Sequence, residues 1–371
     1  MKSITKNLPL RVILLTPIFF VTVLTFTAIS YISIKGSLKS AEFAIYQLFE
    51  EVFSSTKHHI EDLLRVPILL NELNNNSIKN GYLKINDKIN REIYFFTKLS
   101  YFQDVSYTFI GTPDGQFYGA RRNLKGDIEH VVRNNSTGGA SHYFKVKPDG
   151  TSGELVEIFP QFDPRVRPWY KAAAQAGKQV WSPVYKHFVM PSLAITASSP
   201  VYDNNNRLIG VFGTDLLLNN INKFLKDLKI GQHGWAYIID TNGYLIATSM
   251  DDTLFVTQDK EIKRIHITQT SNPKIKESSS SVIGINSPTI KEIKIKGELH
   301  YVHTDFIKDD YGINWQVVIC IPKADFLQPT YNAIRQTIVL SLIIMVILSI
   351  AAIYVSSIII NPLVRLAQTT H

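Results

Sequence analysis

Residues 105–120, VSYTFIGTPDGQFYGA, read as a strand, a tight turn and a second strand. Val105 to Ile110 form the first run and Gln116 to Ala120 the second. Thr112-Pro113-Asp114-Gly115 between them supplies the Pro and Gly dihedrals that a close reversal needs. The same pattern returns about 130 residues later as WAYIIDTNGYLIAT, 235–248, where Asn242-Gly243 is a favoured hairpin turn. A second pattern also occurs twice. Ala194 to Tyr202, the turn Asp203 to Asn206 and Leu208 to Asp215 form a hairpin that runs into a helical stretch, Leu216 to Leu228. Leu299 to Ile307, the turn Lys308 to Gly312 and Trp315 to Ile321 repeat it and lead to Lys323. Two tandem modules, each a small antiparallel sheet with helical connections, account for this better than one large sheet, and the fold class is α+β. Asp251 to Lys296, rich in Ser, Lys and Thr, reads as a solvated insertion in the second module.

Outward from the modules the chain becomes helical and then apolar. Phe43, Tyr46, Leu48, Phe49, Val52, Phe53, Ile60, Leu63 and Leu64 recur at three- and four-residue steps, which predicts a long helix that Pro67 kinks or ends. A second helix is predicted over Asp87 to Leu99. Val12 to Ile34 and Thr337 to Ile360 carry no charged residue, and each matches the roughly 20 residues needed to cross a bilayer as a helix. The first run is too long for the apolar stretch of a cleaved signal peptide, and Tyr31, Ile32 and Ile34 crowd its end. Lys2, Lys6 and Arg11 precede it without an acidic residue, which favours a cytoplasmic amino terminus, although Lys35 and Lys39 oppose that bias. Two spans then put both ends in the cytoplasm and residues from about 36 to 336 outside.

The 371 residues are 45% apolar and 19% charged, enough for a sizeable core and two or three compact units. The net charge of +8 comes from 39 basic and 31 acidic residues that intermingle, with no arginine-rich run among aromatics, so nucleic acid is not an expected partner. Cys320 is the only cysteine and sits in an apolar run, which excludes an intramolecular disulfide or a thiolate cluster and reads as a packed thiol.

The densest group of special residues is Phe162-Asp163-Pro164-Arg165-Val166-Arg167-Pro168-Trp169-Tyr170. Pro168 suits the first turn of a helix that Lys171 to Ala174 continue, which sets Arg167 at the helix entrance beside two aromatics. A guanidinium there matches a carboxylate ligand. It could equally pair with Asp163 while Trp169 and Tyr170 serve as core, and Asp215 could equally cap the helix that follows it. His58 and His59 are adjacent and point to different helix faces. With His142, His187 and His233 they show no ligand spacing, so no metal is expected. No phosphate loop, HExxH or GxSxG is present; no catalytic residue and no cofactor are expected.

These residues carry a resemblance. Arg167-Pro168-Trp169-Tyr170, Trp181-Ser182-Pro183-Val184-Tyr185, Thr196 to Tyr202 and Gly210 to Asp215, in that order, resemble the membrane-distal module of double Cache domains. These are tandem PAS-like sensory domains of bacterial chemoreceptors, sensor histidine kinases and cyclases. Ile360-Asn361-Pro362-Leu363-Val364-Arg365-Leu366 resembles the opening of a HAMP linker.

The resemblance implies a cytoplasmic N-terminus (1–11), a first transmembrane helix (12–34), stalk helices (35–104), a membrane-distal module (105–229), a membrane-proximal module (230–336), a second transmembrane helix (337–360) and the start of a HAMP linker (361–371). It implies a multi-pass protein of the bacterial inner membrane, a homodimer paired along residues 38–66, and cytoplasmic signalling partners reached through an output domain. In the amino-acid-sensing branch of the family, residues matching Arg167, Trp169 and Tyr170 hold a ligand carboxylate and one matching Asp215 helps hold the ammonium. That branch carries a Tyr where this sequence has Phe162. Tyr185 falls where relatives place another pocket aromatic, with His187 two positions on. The expected ligand is an amino acid, an amine or another small carboxylate. The expected role is the sensory part of a receptor. Alternatives are the input half of a cyclase, diguanylate cyclase or histidine kinase, and an anchored binding protein without output. An outer hydrolase lacks a nucleophile and base.

Overall fold

A computed structural model describes residues 10–188, 190, 192–258 and 261–369 of the chain. Residues 1–9 of the expected cytoplasmic segment and 370–371 of the expected linker lie outside the described residues. The chain divides into two compact units, one running through Phe49 and resuming at Pro322, the other Glu50–Ile321.

Helix α1 is Leu10–Lys79 and α2 is Lys88–Tyr101. Then come β1 (Tyr107–Gly111), β2 (Phe117–Arg122), β3 (Ile128–Arg133), β4 (Ser141–Val146) and β5 (Ser152–Phe159). Helix α3 (Pro168–Ala176) leads to the short β6 (Val180–Trp181) and β7 (Tyr185–Lys186), then to β8 (Leu193–Tyr202), β9 (Leu208–Leu217) and α4 (Leu218–Asp227). The second module follows as β10 (Trp235–Asp240), β11 (Leu245–Thr248), β12 (Phe255–Gln258), β13 (Glu261–Arg264), α5 (Pro273–Val282), β14 (Thr289–Ile295), β15 (Glu298–Lys308) and β16 (Asn314–Pro322). Helix α6 is Lys323–Thr369.

Strands β1 to β9 make one antiparallel sheet in the order β5-β4-β3-β2-β1-β9-β8-β6, with β7 also paired to β8. The second sheet has the order β11-β10-β16-β15-β14. The α+β fold with two antiparallel modules agrees with the sequence reading. Two details differ. Helix α1 continues past Pro67 to Lys79. The proline forfeits one helical hydrogen bond, but the turns beyond it are tied to the first sheet: Asn71 Nδ2 donates to Ala197 O at 2.7 Å, Thr214 Oγ1 donates to Asn71 Oδ1 at 2.8 Å, and Asn75 Nδ2 donates to Ser199 Oγ at 2.8 Å. The stretch Asp251–Lys296, expected to be solvated, contributes α5 and the edge strand β14, and buries Ile267, Ile275 and Val282 completely. Thr270, Ser278 and Ser279 are buried with them, so composition alone misjudged the stretch.

Four of the strand reversals share one device. Asp203 Oδ1 accepts the amides of Asn205 and Arg207, Asp240 Oδ1 those of Asn242 and Tyr244, and Asp309 Oδ1 those of Tyr311 and Ile313. Asn123 Oδ1 does the same for Lys125 and Asp127. A short acceptor side chain thus replaces a backbone carbonyl at each reversal. In the middle of the first sheet Phe109 stands opposite glycine on both sides, Gly119 on β2 and Gly213 on β9. Its ring lies over Gly213, where a Cβ would come within 2.6 Å of Phe109 Cζ. The absent side chains let an aromatic ring cross the sheet and reach the space beyond it.

Within the unit Glu50–Ile321, the two modules meet at Trp181. Its backbone N–H donates to Tyr311 O at 3.0 Å and its indole Nε1 to Asp309 Oδ2 at 2.7 Å.

In the other unit, α1 and α6 each provide a stretch long and apolar enough to cross a membrane. Phe19, Phe20, Leu24, Ile29 and Ile32 on α1, and Leu340, Ile343, Ile347, Ile350 and Ile353 on α6, are exposed. Thr25 and Thr27 on α1 and Ser349 on α6 turn their hydroxyls back onto the carbonyls four residues earlier. Hydroxyls so satisfied are compatible with hydrocarbon around the helix.

Candidate ligand-binding site

Three parts of the first module converge on one small cavity of about 20 Å³, room for about one water. Strands β1, β2 and β4 supply Tyr107, Phe109, Phe117 and Tyr143. The turn before α3 and the helix itself supply Phe162, Arg167 and Trp169. Strand β7 and the residues after it supply Tyr185, His187 and Phe188, and β9 supplies Asp215. Six of the seven expected site residues therefore line one cavity. Tyr170 is buried but is not among the lining residues; it packs with Trp169 and Pro164 around Gly111, where a Cβ would lie 2.8 Å from Trp169 Cη2.

Arg167 is placed by its neighbours. Asp163 caps a short 3-10 turn by accepting the Arg165 amide, and Pro168 then opens α3, so Arg167 occupies the extended junction between two helical turns at φ −75° and ψ 147°. The expected alternative partner, Asp163, is taken by Arg165, whose Nη2 lies 2.7 Å from Asp163 Oδ2. Residue i+2 reaches back across the cap, whereas Arg167 points the other way, toward the cavity. Its guanidinium carbon sits 5.2 Å from the centre of the Phe188 ring and 5.8 Å from that of Tyr185. Among the described residues no carboxylate pairs with it.

Asp215 is not the cap of α4. It lies inside β9, opposite Tyr107 on β1 and Thr196 on β8, and the helix begins at Leu218 with Leu217 in the cap position. Its carboxylate is 2% exposed, and burial demands partners for it. Oδ1 accepts from Thr196 Oγ1 at 2.6 Å and from Tyr185 OH at 3.4 Å, and Oδ2 lies 3.0 Å from His187 Nε2. His187 Nδ1 accepts the Met190 amide at 2.8 Å, so in the neutral ring the proton resides on Nε2, facing Asp215.

Burial holds the cavity phenols in their neutral form: it pushes Tyr143 up to about 12, and Tyr107 and Tyr185 well above the ordinary tyrosine value. Tyr107 and Tyr143 share a hydrogen bond at 3.2 Å. Arg121 stacks on Tyr143 at 3.7 Å and pairs with Glu129 at 2.7 Å and with Glu157. Sequence reasoning did not select Tyr107, Phe109, Phe117, Tyr143 or Phe188. The alternation Tyr107, Phe109 on a strand with glycine neighbours was the available signal.

Outside this site, His59 stacks on Phe224 with centroids 3.8 Å apart, and Cys320 is fully buried with its thiol pushed up by burial. Among the described residues no group of three or more His, Cys, Asp or Glu side chains is placed to hold a metal.

The chain thus has two antiparallel modules between helices of membrane-spanning length, and the first encloses an aromatic cavity with a cation and a carboxylate on its wall. The chain belongs to the Cache-domain family, whose dCache_1 model matches residues 39–330. It is 27% identical over 163 residues to the methyl-accepting chemotaxis protein McpC of Bacillus subtilis (strain 168), a stretch covering 44% of this chain and 24% of that protein. It is 33% identical over 130 residues to McpA of Pseudomonas putida, covering 35% of this chain and 18% of that one. The chain thus matches about a quarter or less of the length of these curated relatives. Among solved structures it is similar to the ligand-binding domain of the Pseudomonas fluorescens chemoreceptor CtaA in complex with L-leucine, at a TM-score of 0.50 and 19% identity, covering 78% of this chain and 99% of that one.

Proposed function

We propose that the chain is the sensory and transmembrane part of a bacterial receptor, and that its first module binds a small polar organic molecule: an amino acid, an amine or a small carboxylate. In this reading α1 and α6 cross the inner membrane, residues from about 36 to 336 lie outside the cytoplasm, and the residues after 360 begin a HAMP linker toward an output domain. Relatives of the chemotaxis class favour a chemoreceptor over a kinase or cyclase input. Phe43 and Tyr46, exposed on α1, suit a helix paired with a second copy.

The observation that carries the reading is that Arg167, without a carboxylate partner among the described residues, lines the same cavity as the buried Asp215. A cation and an anion on the wall of an otherwise aromatic cavity fix the orientation of a polar ligand. Binding biases signalling only through a difference in affinity between two receptor states.

A thermal-shift screen of the full chain in nanodiscs against amino acids, amines and small organic acids tests it. A ligand at a hundred times its Kd adds about 2.7 kcal/mol to the stability of the bound form. Arg167→Ala and Asp215→Ala each should remove that shift. If both variants respond as fully as the wild type, the ligand binds elsewhere.

A further inference from the structure

We propose that the ligand of this cavity is a small carboxylate that carries no ammonium group. The inference rests on the cavity being the ligand site and narrows the ligand class by asking which of its charges is already answered.

Asp215 is answered. Oδ1 accepts from Thr196 at 2.6 Å with the Tyr185 hydroxyl 3.4 Å away, and Oδ2 lies 3.0 Å from His187 Nε2. His187 is itself 3% exposed and fixed at both ends. Its ring Nδ1 accepts the Met190 amide at 2.8 Å, and its backbone N–H donates to Ser192 O at 2.9 Å. An ammonium arriving at Asp215 would have to share the carboxylate with the imidazole N–H, and displacing that N–H would leave a buried donor behind, a cost that offsets what the new bond contributes. The other acceptors are neutral phenol oxygens, weaker partners for an ammonium than a carboxylate: Tyr107 and Tyr143, which share one hydrogen bond, and Tyr185, 2.7 Å from Thr196 Oγ1; Phe162 has no oxygen.

Arg167 is not answered. Its planar fork is half-buried against the Phe188 and Tyr185 rings, which occupy its faces but use none of its N–H donors as a carboxylate would. The unmet charge on the cavity wall is therefore positive. Phe109, Phe117, Phe162 and Trp169 around it accept an alkyl or aryl body. Because the cavity holds about 20 Å³, a ligand enters only as lining side chains give way, and the Phe188 ring, centred 5.2 Å from the guanidinium carbon, stands between it and Arg167 in this proposal. His187 thereby becomes the residue that sets specificity: it occupies the position at Asp215 that an amine would take.

The test is calorimetric titration of the full chain in nanodiscs with three matched sets: propionate, L-alanine and ethylamine; 4-methylpentanoate, L-leucine and isoamylamine; 3-phenylpropanoate, L-phenylalanine and phenethylamine. At least one carboxylate should bind about tenfold or more tighter than its amino acid and amine counterparts, the worth of one charge-assisted hydrogen bond. Arg167→Ala should abolish that binding. His187→Ala should narrow the preference by about tenfold by uncovering Asp215, while His187→Gln, which retains an N–H donor, should keep it. The proposal is overturned if an amino acid or amine binds more tightly than its matched carboxylate, or if His187→Ala folds and leaves the selectivity ratio unchanged. If His187→Ala does not fold, the wild-type ratios and His187→Gln decide by the same criteria. Should none of the nine compounds bind the wild type, this proposal is overturned, while the reading of the cavity as the ligand site is decided separately by the broader thermal-shift screen with Arg167→Ala and Asp215→Ala.

Discussion

The contact between the two modules can be weighed by one double-mutant cycle. Trp181 donates its indole N–H to Asp309 Oδ2 at 2.7 Å, while Asp309 Oδ1 holds the tip of the β15–β16 hairpin through the amides of Tyr311 and Ile313. Trp181→Phe removes the indole donor and keeps an aromatic ring. Asp309→Asn keeps one oxygen for the turn and turns an NH2 toward the indole, donor against donor. A hydrogen bond to a charged group is worth about 1.5–3 kcal/mol. Trp181 is 7% exposed but Asp309 only half-buried, so solvent screening brings the expected coupling to about 1–2 kcal/mol. The backbone bond from Trp181 N to Tyr311 O survives in every variant, and the packing lost with the larger ring cancels across the cycle. Urea unfolding of the full chain in nanodiscs, followed by circular dichroism, gives the four stabilities. A coupling below about 0.3 kcal/mol would mean that the pair contributes nothing beyond proximity.

Two further outcomes are expected. Gly213→Ala puts a Cβ within 2.6 Å of Phe109 Cζ, and the ring, buried in the sheet, cannot retreat without entering the cavity. Melting should show a loss of about 1–3 kcal/mol, and an unchanged midpoint would contradict the close approach. His130 is 1% exposed, with Nδ1 3.1 Å from Ser152 Oγ and no partner for Nε2. Burial lowers its pKa, opposed by the nearby Glu92 and aided by Arg91 and Lys88. Its folded form prefers the neutral ring, so its contribution is present above the ordinary value of about 6.5 and is lost as the pH falls through the depressed folded value. Denaturation midpoints measured from pH 7.5 to 5 should therefore fall for the wild type and fall less steeply for His130→Asn.

The architecture was legible because it is written in short-range patterns. Turn residues at 112–115, 203–206, 241–243 and 308–312 mark reversals that the backbone makes locally, and the uncharged runs near each end are long enough to read by length alone. What the sequence left open or misjudged was governed by long-range contact. Pro67 does not end α1 because Asn71 and Asn75 bond to strands more than a hundred residues away. The stretch Asp251–Lys296 looks solvated by composition, yet Leu254, Ile267, Ile275, Val282 and Ile295 are buried in the core. The competition for Asp163 is resolved by Arg165, a residue the cluster itself contained, because the cap geometry favours the nearer side chain. That His187 meets Asp215 depends on the crossing of β7, β8 and β9 and leaves no trace in spacing.

The side-chain-built hairpin turns have a consequence for how the chain assembles. Asp203, Asp240 and Asp309 each close a loop of a few residues, so the ribbons β8–β9, β10–β11 and β15–β16 form at small entropic expense. The β1–β9 seam joins residues more than a hundred positions apart and creates the wall on which Tyr107 and Asp215 stand side by side. Long-range pairing is slower than local pairing in general, so the Tyr107–Asp215 wall is expected to form after the local ribbons, and pulse-labelled amide exchange should protect β15–β16 before β1.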